Sequence, residues 1–517
     1  MILTDDSTVL LSASDIVLVH TCEYGFLRRA DVVLGRAVRE RVDDPFKEQL
    51  AEQGREHESD TDRRLATEHD QFIVAPHLDH PLTRASLTAA TERTRALIEA
   101  GYNVISQAPL FCHDVLVCPD YLIRQPDGRY EVWDAKLAHS IKHEAALQLA
   151  VAAYVLDALN IPRSATAGVF LGNGSRDTAD LDELTDDVHR LIGRARRLFA
   201  GHQQTTSQAP WNDDISICGT CDDCASAIEL HQDVLLVHRL DRSVRTKLRT
   251  AGIRTVRQLA ESAGPIDGIT PGRLDTLRAQ AKLQAQHVVR ADGSVDVAYE
   301  VFDSSPIANL PDASPADIFF DFEGDTLFTD ESGERGIEYL WGLYEGDSRR
   351  GTYHHLWAEN HVQERKALEE FCDRLASRLA AHPGLHVYHY GSYEVTTLKR
   401  LARRHGVRQQ QVEQWADSGV FVNLQPVVTK SIRISQPKYG LKYLEPLYSP
   451  PRTADVQNAR SSMVGFGDYL KLRDSGDTTA ADAHKEALIA YNRDDCLSTL
   501  GLRDWLLEQL VGRRSAG

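Results

Sequence analysis

The sequence predicts an α/β protein of three parts, because two acidic strand motifs flank a helical stretch. The first motif ends in Asp134-Ala135-Lys136, and the second is the strand "DIFFDFEGD". Between them, "SVRTKLRTAGIRTVRQLAES" has apolar residues at helical spacing. A chain of 517 residues is long enough for three domains with cores of their own. We expect these domains at residues 1–228, 229–300 and 312–512.

The first acidic motif lies on a predicted β-hairpin. Pro119-Asp120 precedes the strand "YLIR", the turn "QPDG" follows, and "RYEVWDAK" is the return strand. Because alternate residues of a strand share a face, Asp134 and Lys136 point into one cleft. Paired carboxylates can bind a divalent cation, and a lysine can neutralise charge that develops on a phosphodiester. Each half alone is common in turns and on solvated strands, but the combination predicts a catalytic site.

These residues resemble the signature of RecB-like PD-(D/E)XK nucleases, in particular the iron-sulfur members related to CRISPR-adaptation exonucleases and AddB-type repair nucleases. The resemblance covers roughly the first 230 residues. It implies an acidic residue on an early helix, for which we favour Glu68 and keep Asp70 as the alternative. It also implies a glutamine helix, which makes Gln148 a site candidate. The family carries a tyrosine four residues after this glutamine, whereas Tyr154 lies six residues on.

Four cysteines bracket this segment, namely Cys22, Cys218, Cys221 and Cys224. Eight cysteines are few for a disulfide scaffold, and no signal-peptide pattern or long apolar run is seen, so we expect a cytoplasmic protein with no membrane partner. A CxxCxxC cluster then indicates a metal site. The resemblance implies a 4Fe-4S cluster, and tetrahedral zinc is the alternative. The other cysteines are more typical of small buried side chains than of ligands: Cys112, Cys118, Cys372 and Cys496.

The charge of the chain limits how it could bind nucleic acid. The net charge of −18 (58 basic minus 76 acidic residues) argues against wrapping of duplex DNA by a uniformly basic surface. Three basic stretches could contact phosphates or form solvated helix faces: "HRLIGRARRLF", "HRLDRSVRTKLRTAGIRTVRQ" and "LKRLARRHGVR". The second stretch resembles a helix-hairpin-helix element, which binds the phosphate backbone through main-chain N–H groups. A linker of packed helices is an equally good interpretation.

The last domain opens after the proline-rich boundary "SPIANLPDASPAD". In the following strand, Asp321 and Glu323 share one face and Phe322 faces the core. Two acids at the mouth of a core strand are costly unless they bind a metal. Far downstream, Tyr491 and Asp495 lie one helical turn apart and therefore share a helix face.

These motifs, with "HVYHYGSYE" between them, resemble the DnaQ-like 3′ to 5′ exonucleases of the RNase H fold, most closely the YprB-type domain. The resemblance implies four acids around two metal ions, Mg²⁺ or Mn²⁺, and a tyrosine that orients the attacking water. The residues so implied are Asp321, Glu323, Glu394, Asp495 and Tyr491, with Asp494 as an alternative to Asp495. Glu394 and Asn423 stand where the resembling domains more usually carry aspartate.

We therefore expect a metal-dependent DNA nuclease that acts on single-stranded or end-containing DNA in repair or recombination. A ribonuclease is one alternative, and a non-catalytic nucleic-acid-binding scaffold with structural zinc is the other. The intact set of Asp120, Asp134 and Lys136 weighs against the scaffold. The sequence has no GxxxxGK[ST] phosphate loop, so any unwinding of DNA would come from a separate helicase.

Overall fold

The computed structural model describes residues 1–38, 44–138, 140–289, 295–347, 350–450, 452 and 459–514. The chain forms two compact units, Met1–His231 and Gln232–Gly517. The fold is mixed, with helices and strands alternating through both units. Within the described ranges, every helix is too short or too polar to cross a bilayer.

The first unit is built on two sheets. Its strands are β1 (Ile2–Leu3), β2 (Val9–Ser12), β3 (Phe72–Val74), β4 (Val104–Ser106), β5 (Leu110–Cys112), β6 (Val115–Val117), β7 (Tyr121–Arg124), β8 (Tyr130–Lys136), β9 (Arg163–Leu171) and β10 (Arg176–Asp180). The strand orders are β1-β2-β6-β5 and β10-β9-β8-β7-β4-β3.

The helices of the first unit are α1 (Ala13–Thr21), α2 (Glu23–Val33), α3 (Pro45–Glu68), α4 (Arg84–Glu99), α5 (His143–Ala158), α6 (Thr185–Gln203) and α7 (Asp222–Leu230). Ser12 and Thr83 begin α1 and α4 with capping boxes, which satisfy N–H groups that lack partners within the helix. Helix α5 is rich in small and aliphatic residues, and most of its side chains are buried.

The predicted hairpin is confirmed in the six-stranded sheet. β7 and β8 pair antiparallel, with Tyr121 opposite Trp133 and Arg124 opposite Tyr130. Tyr121 and Trp133 pack with Phe170 of β9 in one hydrophobic cluster. The core thus holds the carboxyl end of β8, which carries Asp134-Ala135-Lys136, beside the start of β7.

The second unit opens with α8 (Arg242–Thr250), α9 (Val256–Glu261) and α10 (Pro271–Gln284). Gly252 has φ +82° in the turn between α8 and α9, a conformation that glycine adopts without strain. Arg245 and Arg249 of α8 are buried and both pair with the buried carboxylate of Asp233. Part of the second basic stretch therefore stabilises the helical segment from within.

The remaining strands are β11 (Val288–Val289), β12 (Val295–Asp296), β13 (Tyr299–Val301), β14 (Ile318–Thr329), β15 (Arg335–Glu345), β16 (Thr352–Trp357), β17 (Val387–His389), β18 (Phe421–Asn423) and β19 (Ile432–Ile434). The remaining helices are α11 (Ser305–Ala308), α12 (His361–Ala381), α13 (Tyr393–His405), α14 (Gln409–Asp417), α15 (Leu424–Ser431), α16 (Leu441–Leu444), α17 (Ala459–Ser475) and α18 (Thr478–Arg514).

A five-stranded sheet of order β16-β15-β14-β17-β18 forms the centre of the second unit. β14 pairs antiparallel with β15 and parallel with β17. Ile318, Phe320 and Phe322 belong to the core on one face of β14, whereas Phe319 belongs to the core on the other face, with α18. By strand alternation, Asp321 and Glu323 share the face of Phe319. Both acids thus face the helix that carries Asp495.

Candidate active sites and metal centres

The hairpin of β7 and β8 brings two carboxylates and a lysine together. The N–H of Ala135 donates to Asp120 Oδ2 at 2.8 Å, which anchors that carboxylate on the neighbouring strand. Burial, together with the hydrogen-bonded and like-charged carboxyl group of Asp134, raises the pKa of Asp120 to about 9. Lys136 Nζ lies 2.7 Å from Asp134 Oδ2. Burial alone would lower the pKa of Lys136, but the charge and hydrogen bond of Asp134, together with the charges of Asp120 and Glu58, outweigh burial and raise the pKa.

Glu58, in the middle of α3, supplies a third carboxylate to this group. The side-chain amide of Gln107 donates to Glu58 Oε1 and, at 3.4 Å, to Asp120 Oδ1, so it links the two acids. Burial and the charges of Asp62 and Asp134 raise the pKa of Glu58. Gln107 has φ +54°, an uncommon conformation for a residue other than glycine. The backbone there is held in a strained form that presents the amide to both acids.

The structure corrects the acidic residue that we expected from the early helix. Glu68 is the last residue of α3, and its carboxylate pairs with Arg176 at 2.8 Å. Asp70 lies beyond the helix end and is exposed. Glu68 follows Glu58 by ten positions (68 − 58), which is roughly 15 Å along a helix. The sequence pattern located the helix, but packing determines which of its turns meets the hairpin.

Gln148 and Tyr154 lie on α5, the helix that follows the hairpin. Six positions along a helix rotate a side chain by roughly 240°, so the two residues occupy different faces. The Tyr154 ring contacts the His189 ring of α6 at 5.0 Å, and its hydroxyl interacts with Arg196. Tyr154 therefore belongs to the packing of α5 on α6, and Gln148 stays a predicted site residue.

The four predicted cysteine ligands come together in the first unit. Cys22 lies between α1 and α2, Cys218 precedes α7, Cys221 caps α7, and Cys224 lies in its first turn. Their sulfur atoms all lie within 4.8 Å of one another. Backbone N–H groups of Gly25, Cys221 and Cys224 donate to the sulfurs, as expected for thiolate acceptors. This donor set suits a soft metal ion or an iron-sulfur cluster.

The spacing of the sulfurs bears on which metal fits. Cys22 Sγ lies 3.4 Å from Cys224 Sγ and 3.9 Å from Cys221 Sγ, and Cys218 Sγ lies 3.8 Å from Cys224 Sγ. Four ligands about 2.3 Å from one zinc ion stand about 3.8 Å apart. A cubane cluster spreads its four thiolates farther, because each thiolate binds a different iron. Of the other cysteines, Cys372 and Cys496 are buried, Cys112 is half-buried and Cys118 is exposed, and none of the four belongs to this group.

A second acidic group forms where β14 meets α18. Carboxylate oxygens of Asp321, Glu323 and Asp495 lie within 4.8 Å of one another. Burial and the charge of Asp495 raise the pKa of Glu323 to about 8 and hold the pKa of Asp321 well above its usual range. Asp494, one position before Asp495, lies outside the group. Three crowded carboxylates that resist ionisation suit a hard divalent cation such as Mg²⁺ or Mn²⁺, which would neutralise them.

Glu394 and Tyr491 flank this group. Glu394 lies in the first turn of α13, where His389 Nδ1 is 3.1 Å from Glu394 Oε2 and both side chains are buried. The charge of Glu394 contributes to the raised pKa of Asp321, so the two carboxyl groups are within electrostatic range. The hydroxyl of Tyr491 accepts a hydrogen bond from Lys442 at 2.9 Å. The predicted residues of the second site therefore converge around Asp321 and Glu323 in the middle part of β14.

A family model of the RNase H superfamily (RNase_H_2) matches residues 318–507. These residues form an RNase H superfamily domain. The matched region runs from the first residue of β14 into α18, so it spans the five-stranded sheet and the three-acid group. No curated protein matches the chain with significant similarity.

In the RNase H domain, Asn423 has a structural role. Its side-chain oxygen accepts from the N–H of Gly391 at 3.1 Å and from the N–H of Gln425 at 3.0 Å. It therefore caps α15 and holds the loop that leads to Glu394.

Sequence reasoning missed the side chains that orient the acids. Asn492 Nδ2 donates to Asp321 Oδ2 at 2.9 Å, and Ser462 Oγ donates to Glu323 Oε2 at 2.6 Å. Tyr353 donates to Asn492 Oδ1 at 2.8 Å. The sequence could have indicated Asn492, because it lies three positions before Asp495 and therefore shares a helix face with it. No sequence pattern indicated Ser462, because it lies far from Glu323 along the chain.

We predict that Gly342→Ala destabilises the RNase H domain by about 1–3 kcal/mol. A Cβ atom at Gly342 would lie 1.7 Å from Asn492 Oδ1, so Asn492 would have to leave Asp321. Urea denaturation measures the change in the free energy of unfolding. Gly384→Ala is the matched control, because a Cβ atom there meets nothing within 4 Å. Equal stability of the two variants would contradict the prediction.

Proposed function

We propose that the protein is a metal-dependent nuclease. The observation that carries the proposal is the group of Asp321, Glu323 and Asp495, whose carboxylate oxygens lie within 4.8 Å of one another inside an RNase H superfamily domain. Buried acids this close together are unfavourable unless a cation compensates them. Phosphodiester hydrolysis is the reaction that such a centre supports best.

At this centre, Asp321, Glu323 and Asp495 would hold the metal, and Glu394 is the candidate for a further ligand. A bound divalent cation polarises the phosphodiester and lowers the pKa of water. Asn492 and Ser462 keep two of the acids in position through their hydrogen bonds. Tyr491, one helical turn from Asp495, would orient the attacking water.

We further propose a second nuclease centre at the hairpin of the first unit. Asp120 and Asp134 would hold a divalent cation, with Glu58 as a third acid. Lys136 would stabilise negative charge that develops on the phosphate, since its ammonium is held beside Asp134. The support is the PD…DxK spacing on paired strands, together with the acid from α3. Gln148 is a further candidate at this centre.

DNA is the proposed substrate, in repair or recombination, because both motif sets resemble nucleases of that kind. Single strands and strand ends are the expected forms, since a net charge of −18 argues against a uniformly basic surface that would hold duplex DNA. A separate helicase as partner and a cytoplasmic location belong to the same proposal.

We infer that the four cysteines hold a structural metal centre that links α1 and α2 to α7. Sulfur spacing supports zinc, and the sequence resemblance supports a 4Fe-4S cluster. In either case the centre joins residues 199 positions apart, so its loss should loosen the whole first unit.

The first test of function separates the two centres. Asp321→Ala should remove stepwise degradation from 3′ ends. Lys136→Ala should lower the rate of cleavage at the hairpin centre by about 100-fold or more. Tyr491→Phe should be milder than Asp321→Ala, because a phenol orients water while a carboxylate binds metal. Product ladders from end-labelled single-stranded DNA, duplex DNA and RNA, with Mg²⁺ or Mn²⁺, give the measurement.

The centres lie in separate compact units, so the effects of the two substitutions should add. If Asp321→Ala with Lys136→Ala degrades every substrate as fast as the wild type, the protein is not a nuclease at either centre. A scaffold that only binds nucleic acid would then account for the folds.

The second test compares two glutamates of α3. In an Asp321→Ala background, Glu58→Gln should lower the remaining cleavage by about 100-fold, because a metal ligand is lost. Glu68→Gln is the matched control on the same helix and should change the rate by less than about twofold, since its carboxylate pairs with Arg176 at a distance from the hairpin acids. Equal losses in the two variants would contradict the assignment of Glu58.

The third test concerns the cysteines. Cys221→Ser should release the bound metal and lower the melting temperature by roughly 10 °C or more, because binding free energy at a structural site is folding free energy. Metal analysis and visible absorbance of anaerobically purified protein give the readout, and they also identify iron or zinc. Cys118→Ser, an exposed thiol outside the group, should retain metal and stability. Full metal content in Cys221→Ser would refute the site.

A further inference from the structure

A cavity of about 450 Å³ lies in the second unit, between α11 and the segment formed by β18 and α15. This volume falls within the range of about 300–1,000 Å³ that is typical of small-molecule sites in proteins. Prolines, aliphatic side chains and Phe421 form most of the lining, and its polar side chains are Asn309, Asn423 and Lys430. None of the described residues of the lining is acidic. The cavity therefore suits a ligand that has an apolar face and a negative charge.

Two residues of the lining connect this cavity to the three-acid centre. The ring of Phe421 lies edge to face with the ring of His389, with 6.2 Å between the centroids, and His389 Nδ1 lies 3.1 Å from Glu394 Oε2. Asn423 accepts a hydrogen bond from the N–H of Gly391, in the loop that leads to Glu394. The wall of the cavity thus contacts the residues that position Glu394, the candidate for a further metal ligand.

A nucleotide has the chemistry that this lining requires. The flat face of its base can stack on an aromatic ring such as that of Phe421, as bases of single strands do in proteins. The side-chain amides of Asn309 and Asn423 carry N–H donors for acceptor atoms on the edge of a base. Lys430 lies exposed in the last turn of α15, where its ammonium can attract a phosphate. In a chain with a net charge of −18, such a local cation offsets the repulsion of a phosphate.

We propose that this cavity binds one nucleotide of the single strand that is cleaved at the three-acid centre, with the base on Phe421 and the phosphate at Lys430. The inference rests on the proposed nuclease function of this centre. It adds a substrate subsite that lies outside the acids and Tyr491. Because this subsite holds a nucleotide away from the reacting phosphate, it strengthens the binding of the substrate and leaves the chemical step unchanged.

The kinetic test uses the full chain in a Lys136→Ala background, with a short single-stranded thymidine oligonucleotide as the substrate. Lys430→Gln should raise KM about 10-fold and change kcat by less than about twofold, because a contact made equally in the ground state and the transition state is lost. Lys366→Gln is the matched control, since Lys366 is an exposed lysine of α12. This control should retain both constants.

Photochemical labelling measures occupancy of the cavity without any need for activity. An oligonucleotide that contains 5-iododeoxyuridine is irradiated with the Asp321→Ala, Lys136→Ala double variant, and the labelled residue is identified by mass spectrometry. We expect the label on Phe421, because the base stacks on this ring. Adding Lys430→Gln should lower this labelling about 5-fold, whereas adding Lys366→Gln should not change it. Free 5-iododeoxyuridine monophosphate at the same concentration should label Phe421 far less, since a strand is also held at the centre.

The outcomes distinguish the cavity from the centre. If no degradation depends on Asp321 in the Lys136→Ala background, the nuclease function of the centre is refuted, whatever the labelling. If degradation depends on Asp321 but Lys430→Gln keeps the KM of the Lys366→Gln control, the subsite alone is refuted. A label on residues outside the cavity would also refute the subsite, and equal labelling by the free nucleotide would refute the strand as its ligand. Thermal melting shows whether each variant is folded.

Discussion

The need to compensate buried carboxylates governs both acidic sites of this protein. Burial and a like-charged neighbour oppose the ionisation of Asp120, which lies beside Asp134, and of Glu323, which lies beside Asp321 and Asp495. The fold meets this need in three ways. Backbone and amide donors such as Ala135 and Asn492 fix the oxygens. Lysines lie at the rim of each group, and the clustered oxygens form a donor set that suits a divalent cation.

The same constraint explains where the basic stretches go. Their sequence suggested phosphate contacts or solvated faces, yet many of these side chains pair with acids inside a unit. Arg400 pairs with buried Glu338, His405 with buried Glu364, and Arg196 with Asp114. Arg404 contacts His361 and Glu334, so the group of Asp330, Glu334 and His361 is held by a guanidinium. In this acidic chain, many basic side chains of the three stretches therefore stabilise the fold through ion pairs.

The two acidic sites take their acids from different strands and helices. At the hairpin, neighbouring strands supply Asp120, Asp134 and Lys136, and a helix from earlier in the chain adds Glu58. In the RNase H domain, one strand supplies Asp321 and Glu323, and the final helix closes the group with Asp495. Each site thus combines a local motif with one distant helix.

The sequence by itself determined the local parts of these sites. Strand alternation placed Asp134 with Lys136 and Asp321 with Glu323, and helical phase favoured Asp495 over Asp494, because backbone geometry fixes which neighbours share a face. Cysteine spacing predicted a metal site at Cys218, Cys221 and Cys224, and the family resemblance added Cys22, whose sulfur lies with the other three. Only the tertiary structure decided that Glu58 and not Glu68 meets the hairpin, and that Asn492, Ser462 and Lys442 surround the acids. These contacts join segments that are far apart in the chain. They depend on how whole helices and strands pack together, and the local periodicity of a strand or helix does not predict them.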